Sequence, residues 1–188
     1  MVFSPGKRPP EYTQEMSETI AIIVLLFPLA IIITYYDVRY RRIPNPFVLA
    51  TLASGLAINS IFGGLTGFYG SVAGCALAFT LMLLLHLFGA MGAGDVKLFA
   101  AVGAVMGSAL VLQTFVIVII TGGLLAVVSI FRAGIVLTTM QRVLQIFVGL
   151  LPGWQMPKFA IPTDRRLTIP YGVAITIGSI ISTAIFRA

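Results

Sequence analysis

The chain has 188 residues, of which 59% are hydrophobic and only 10% are charged, and its mean hydropathy is +1.04. Soluble domains carry roughly 25% charged residues, so this composition excludes an ordinary soluble protein and indicates an integral membrane protein. A single cysteine, Cys75, excludes a disulfide framework and a multi-cysteine metal site. The net charge of +6 does not indicate nucleic-acid binding, because the positive residues lie between apolar spans, where they set membrane topology.

Residues 1–17 are polar and contain three prolines, which predicts a mobile tail ahead of a single membrane domain at residues 18–188. The apolar runs that follow predict an all-α polytopic membrane protein with six transmembrane helices. The predicted spans are residues 19–36, 46–62, 68–88, 95–108, 110–131 and 169–186. Residues 135–151, in the fifth loop, have apolar positions at helical spacing, which predicts a further helix lying in the membrane interface.

The almost unbroken apolar stretch from Val96 to Phe131 predicts a turn within it. As one helix it would be about 54 Å long, which exceeds a hydrocarbon core of about 30 Å. Gly107-Ser108 is the best candidate for the turn, and Gln113 is the second. Asp95 lies about 18 Å along a helix from Gly107, so we expect its carboxyl group below the membrane surface, inside the bundle.

The loops that follow the odd-numbered spans, with Lys97 at the end of the third loop, carry nine of the twelve positive residues, which predicts that these loops are cytoplasmic and both termini lie outside. Asp37 and Asp95 then lie toward the same, cytoplasmic, side of the membrane. The nine residues are Arg39, Arg41, Arg42, Lys97, Arg132, Arg142, Lys158, Arg165 and Arg166.

Asp37 and Asp95 are the candidate catalytic residues. An ionisable group at membrane depth is costly and marks a functional site by default. Two nearby carboxyl groups in a poorly solvated site share one proton, and such a pair can activate water without a metal or cofactor. Gly92 and Gly94, just before Asp95, leave room for the extended peptide that a protease must bind.

Three segments together resemble the type IV prepilin peptidases, which are membrane-embedded aspartyl proteases. Gly92-Ala93-Gly94-Asp95 is similar to the family's GxGD motif. Asp37 followed by Ile43-Pro44-Asn45 is similar to the first aspartate and its Ile-Pro-Asn, and Ile169-Pro170-Tyr171-Gly172 resembles the motif that opens the last span. Ala93 and Val173 are small departures, at positions where the family often has glycine and proline.

The resemblance implies a dyad of Asp37 and Asp95 that cleaves the short basic leader of prepilins and pseudopilins at the cytoplasmic face of the inner membrane. Gly92 and Gly94 would shape the site. Lys97 would either tune the charge of the dyad or mark the interface, and Pro44 with Asn45 would form the turn that fixes Asp37 in place. The long form of this family contains an insertion with paired cysteines. The chain lacks that insertion, so methyl transfer is not implied. The short form resembles the Flp/Tad-type pilus peptidases and the archaeal preflagellin peptidases.

Two other functions are compatible with the same sequence features. A proton-coupled transporter could carry protons on the same two aspartates, although the chain shows no internal repeat of the kind that carriers often have. A non-enzymatic scaffold of a secretion machine would tolerate the loss of both acids. The sequence does not indicate the oligomeric state or which pilin would be the substrate.

Overall fold

The computed structural model describes residues 9–40, 42–87, 91–134 and 171–187. These residues form five helices and no strand, which confirms the all-α fold class. Three helical segments, Met16–Tyr40, Asn45–Leu87 and Val111–Arg132, are long and apolar enough to cross a membrane. The helices are α1 (Pro9–Tyr40), α2 (Asn45–Leu87), α3 (Ala93–Met106), α4 (Val111–Ala133) and α5 (Tyr171–Phe186).

The chain divides into two compact units, Met1–Gly122 with Pro170–Ala188, and Gly123–Ile169. The described part of the second unit is the C-terminal end of α4 and Gly134. The interfacial helix predicted at residues 135–151, and most of the positive residues predicted for the fifth loop, lie outside the described residues. All contacts discussed below lie within the first unit.

Helix α1 begins at Pro9, ten residues before the predicted start at residue 19, so part of the predicted tail is helical. Proline suits the first turn of a helix because the N–H group it lacks would have no partner there. Further along, apolar positions at helical spacing face the core at Ile22, Leu26, Leu29 and Ile33. The opposite face of α1 exposes large apolar side chains, as expected for a helix that contacts lipid. They include Ile20, Val24, Phe27, Ile31, Tyr35 and Val38.

Helix α2 reverses direction at Gly64. This glycine has φ 59° and ψ −142°, a conformation that L side chains rarely adopt. The Oγ of Ser71 lies 3.4 Å from the Gly55 carbonyl oxygen, whereas 16 residues of straight helix would separate these groups by about 24 Å. The two halves therefore fold back on each other, as the predicted break between residues 62 and 68 requires. The six-span topology as a whole stays a prediction.

Helix α3 is short and buried on almost all sides. Its 14 residues span about 21 Å, and every residue from Leu98 to Met106 is buried. Gly107, with φ 73°, ends the helix, which confirms the turn predicted at Gly107-Ser108. Helices α2 and α5 both pack against α3, and α1 packs against α2 and α5. Helix α3 is therefore the central helix of the first unit, and it carries Asp95 in its first turn.

Candidate active site

Asp37 lies on the buried face of α1. It follows Ile33 by one turn in the same stripe that contains Ile22, Leu26 and Leu29, and only 7% of its surface is exposed. The ring of Tyr36, next to it, packs on Phe47 at the start of α2 with ring centroids 5.7 Å apart. The side chain of Asp37 thus occupies a core position near the C-terminal end of α1, where the other residues of the stripe are aliphatic.

Asp95 is the third residue of α3 and is half-buried. Gly92, at the N-cap in an extended conformation, donates its N–H to Oδ2 of Asp95 at 3.2 Å. The first N–H groups of a helix have no partner inside the helix, and a carboxylate in the first turn satisfies one of them. A Cβ atom at position 92 would lie only 3.2 Å from the same oxygen. Glycine at this position therefore leaves room for the carboxyl group of Asp95.

The structure places Asp37 and Asp95 in the same region of the first unit. The carboxyl groups of Asp37 and Asp95 lie close enough for their charges to interact. Tyr171, the first residue of α5, lies within the same electrostatic range of Asp95. Gly172 touches Asp37, since a Cβ atom built on it would lie 2.8 Å from Oδ2 of that carboxyl group. Three segments that are far apart in the sequence therefore meet at one end of the first unit.

The other predicted site residues lie around this cluster in different ways. A Cβ atom at Gly94 would make an ordinary contact, 3.9 Å, with the side chain of Ile43, so this glycine lies beside the segment that follows α1. The carbonyl of Pro44 accepts a hydrogen bond from the N–H of Phe47 at 3.2 Å, and α2 begins at Asn45. Lys97 is exposed. The roles predicted for Gly92, Gly94, Lys97, Pro44 and Asn45 in catalysis stay predictions.

Two residues near the acids had no site role in the sequence-based prediction. Gly172 had been noted only as part of the segment that opens the last span, and that motif was the signal that could have identified it. The second is His86, the one histidine of the chain. Its Nδ1 lies 2.7 Å from the carbonyl oxygen of Met91, directly before Gly92. Among the described residues, no three His, Cys, Asp or Glu side chains are grouped as metal ligands would be.

Comparison with known proteins gives one family. Residues 24–127 match the model of the type IV leader peptidase family, and this segment contains Asp37 and Asp95 but not Gly172. Over 104 residues the chain is 31% identical to the prepilin leader peptidase/N-methyltransferase of Bacillus subtilis (strain 168), covering 54% of this chain and 41% of that protein. The chain therefore spans less than half the length of this curated relative. No solved structure matches. Since the family model covers more than half of the chain, this protein belongs to the type IV leader peptidase family.

Proposed function

We propose that this protein is an intramembrane aspartyl endopeptidase that removes the leader peptide of type IV, Flp-type, prepilins and pseudopilins. The observation that carries the proposal is that Asp37 on α1 and Asp95 on α3 lie within electrostatic range of each other, with Asp37 buried in an otherwise apolar stripe. Membership of the leader peptidase family supports the reaction class and the kind of substrate.

The chemistry needs only the two carboxyl groups and water. Because two carboxylates at close range do not both ionise readily, the pair holds one proton between them. The ionised carboxylate takes a proton from water as that water attacks the scissile carbonyl carbon, and the protonated carboxyl group donates to the carbonyl oxygen. The tetrahedral intermediate then collapses, the C–N bond breaks, and the amide nitrogen takes up a proton. The products are the leader with a new carboxyl terminus and the mature pilin with a new amino terminus.

The proposed substrate is a single apolar helix whose basic leader stays in the cytoplasm. In the proposed six-span topology, both acids lie toward the cytoplasmic face of the inner membrane, where the leader joins the apolar segment. The exposed apolar side chains of α1 support a lipid-facing surface along which such a helix could approach. A peptide bond must leave the helical conformation to be cut, so a substrate stabilised as a helix at the cleavage point should be cut more slowly.

The decisive experiment is cleavage of a co-expressed Flp-type prepilin, read from the mass of the pilin. We expect the wild type to remove a short leader, and Asp37→Asn and Asp95→Asn each to abolish removal, since asparagine can neither take nor share the proton. The matched control is Asp164→Asn, the same substitution at the remaining aspartate of the chain, which should cleave normally. Near-normal cleavage by either dyad variant, at equal protein level, would refute the assignment of the pair.

An uncut pilin with the wild type would contradict the peptidase proposal for this substrate. Proton-dependent flux in proteoliposomes, lost in the same two variants, would then favour the proton-coupled transporter.

A further inference from the structure

We propose that Gly172 is a positioning residue, which seats the carboxyl group of Asp37 against the first turn of α5 and so fixes the geometry of the pair. This inference rests on the proposed function and names a third component of the same site. Gly172 lies outside the segment that the family model matches.

The contact is one that a side chain at position 172 would prevent. A Cβ atom built on Gly172 would lie 2.8 Å from Oδ2 and 3.1 Å from Cγ of Asp37, and 3.3 Å from Cγ2 of Ile33. A carbon and an oxygen atom that are not bonded to each other do not normally approach to 2.8 Å, so the added Cβ would force a neighbouring atom to move. Both Gly172 and Asp37 are buried, so the carboxyl group has little free space into which it could move.

The first turn of α5 is itself held in place. The hydroxyl of Thr176 shares its one hydrogen between the carbonyl oxygens of Gly172 and Val173, at 3.0 and 3.1 Å. The atoms nearest to an added Cβ all belong to side chains, those of Asp37 and Ile33, so a methyl group added there would displace the carboxyl group rather than the helix.

The same turn is close to the second acid. Tyr171 precedes Gly172 and lies within electrostatic range of Asp95. The first turn of α5 therefore contacts the carboxyl group of Asp37 and lies within electrostatic range of that of Asp95. A shift of the Asp37 carboxyl group changes its distance from Asp95, and a shared proton depends on that distance.

The test compares two glycine-to-alanine changes in α5. In Gly172→Ala the new Cβ meets the Asp37 carboxyl group, whereas in Gly178→Ala it meets Cγ2 of Val118 at the same 2.8 Å and its Cα at 3.0 Å. We expect Gly172→Ala to lower kcat for leader cleavage about 100-fold, the scale of a displacement near 1 Å, with KM unchanged. Gly178→Ala should lower the melting temperature in detergent but keep kcat per folded molecule.

A second measurement does not depend on activity. Gly172→Ala should lower the melting temperature in the wild-type background but not in Asp37→Ala, because removal of the carboxyl group removes the clash. Gly178→Ala should lower it equally in both backgrounds. If Gly172→Ala kept its kcat while Asp37→Asn lost cleavage, the dyad would stand and the positioning role of Gly172 would fall. Equal melting shifts for Gly172→Ala in the two backgrounds would refute the contact itself, whether or not the wild type cleaves the pilin.

Discussion

At the residue scale, one peptide group links His86 to Asp95. The carbonyl of Met91 lies 2.7 Å from Nδ1 of His86, and since a carbonyl oxygen only accepts, Nδ1 carries the proton. The N–H of Gly92, which belongs to the same peptide group, donates to Oδ2 of Asp95 at 3.2 Å. Hydrogen bonds in such a chain polarise one another, so the bond from His86 strengthens the bond to Asp95 and fixes the peptide that makes it.

We expect His86→Leu to weaken this arrangement and His86→Asn to preserve most of it, because the asparagine amide supplies a donor near the position of Nδ1. Loss of the donor should lower the free energy of unfolding by about 1 kcal/mol. It should also lower the rate of leader cleavage further than that loss of stability explains. The measurements are the melting temperature in detergent and kcat for the wild type and both variants. Equal kcat for His86→Leu and His86→Asn would show that the hydrogen bond does not act on the site.

The sequence could predict which residues are the acids but not what positions them. Asp37 and Asp95 are conspicuous because acids are costly in apolar spans, and that argument needs no knowledge of packing. The contact between Asp37 and Gly172 joins residues 135 positions apart, and it exists only because α5 packs on α1. Such a contact follows from the tertiary arrangement, and a single sequence contains no local signal for it.

At the element scale, the C-terminal end of α3 shows how a buried helix end is satisfied. Its last four carbonyl groups have no partner inside a regular helix, and the residues that carry them are buried. The carbonyl of Gly103 accepts from the N–H of Gly107 at 3.0 Å, and that of Met106 from Nη2 of Arg187 at 3.0 Å. The carbonyls between them accept from α2: Ala104 from Asn59 and Ser71, at 2.8 and 2.6 Å, and Val105 from Asn59 at 3.2 Å.

Helix length made the turn at Gly107 predictable, since a helix from residue 96 to 131 is too long for the bilayer. The break in α2 was predictable from the glycines between its two apolar runs. The partners of the α3 carbonyls were not, because Asn59 and Ser71 reach them only after α2 has folded back at Gly64. In the sequence, both look like ordinary small polar residues of apolar spans.

A pair of serine substitutions in α2 tests this description of the helix end. Ser71→Ala removes a buried donor to the Ala104 carbonyl, and we expect it to lower the free energy of unfolding by about 1–3 kcal/mol. Ser60→Ala removes only a bond to the Leu56 carbonyl of its own helix, so its effect should stay within about 0.5 kcal/mol. Asn59→Leu should cost at least as much as Ser71→Ala. Unfolding in detergent measures all three, and equal losses for the two serine variants would contradict the proposed role of Ser71.

At the scale of the whole first unit, the acids and an ion pair lie far apart along α1, α3 and α5. Arg187 binds Glu18 through Nη1 at 2.5 Å, and its carbonyl oxygen accepts from the hydroxyl of Thr19 at 3.1 Å. Since Arg187 also binds the Met106 carbonyl, α1, α3 and α5 are joined at this end. Along each helix, the aspartate or Gly172 lies about 16–28 Å away. One region of these three helices thus contains the bonds that join them, and the other contains the carboxyl groups.

This separation predicts that stability and catalysis can be changed independently. Arg187→Gln removes a partly buried charge-assisted bond, since the two side chains are 16% and 23% exposed, and should cost about 1.5–3 kcal/mol. Glu18→Gln should cost a similar amount, and the double variant should cost less than the sum, because both singles break the same pair. Arg132→Gln, at an exposed arginine in the last turn of α4, is the control and should change little. The cleavage rate per folded molecule should remain that of the wild type in every one of these variants, because no carboxyl group of the pair moves. Additive losses of stability would show that Arg187 and Glu18 do not act together, and a fall in kcat at constant folded fraction would show that this end of the bundle also determines the geometry of the acids.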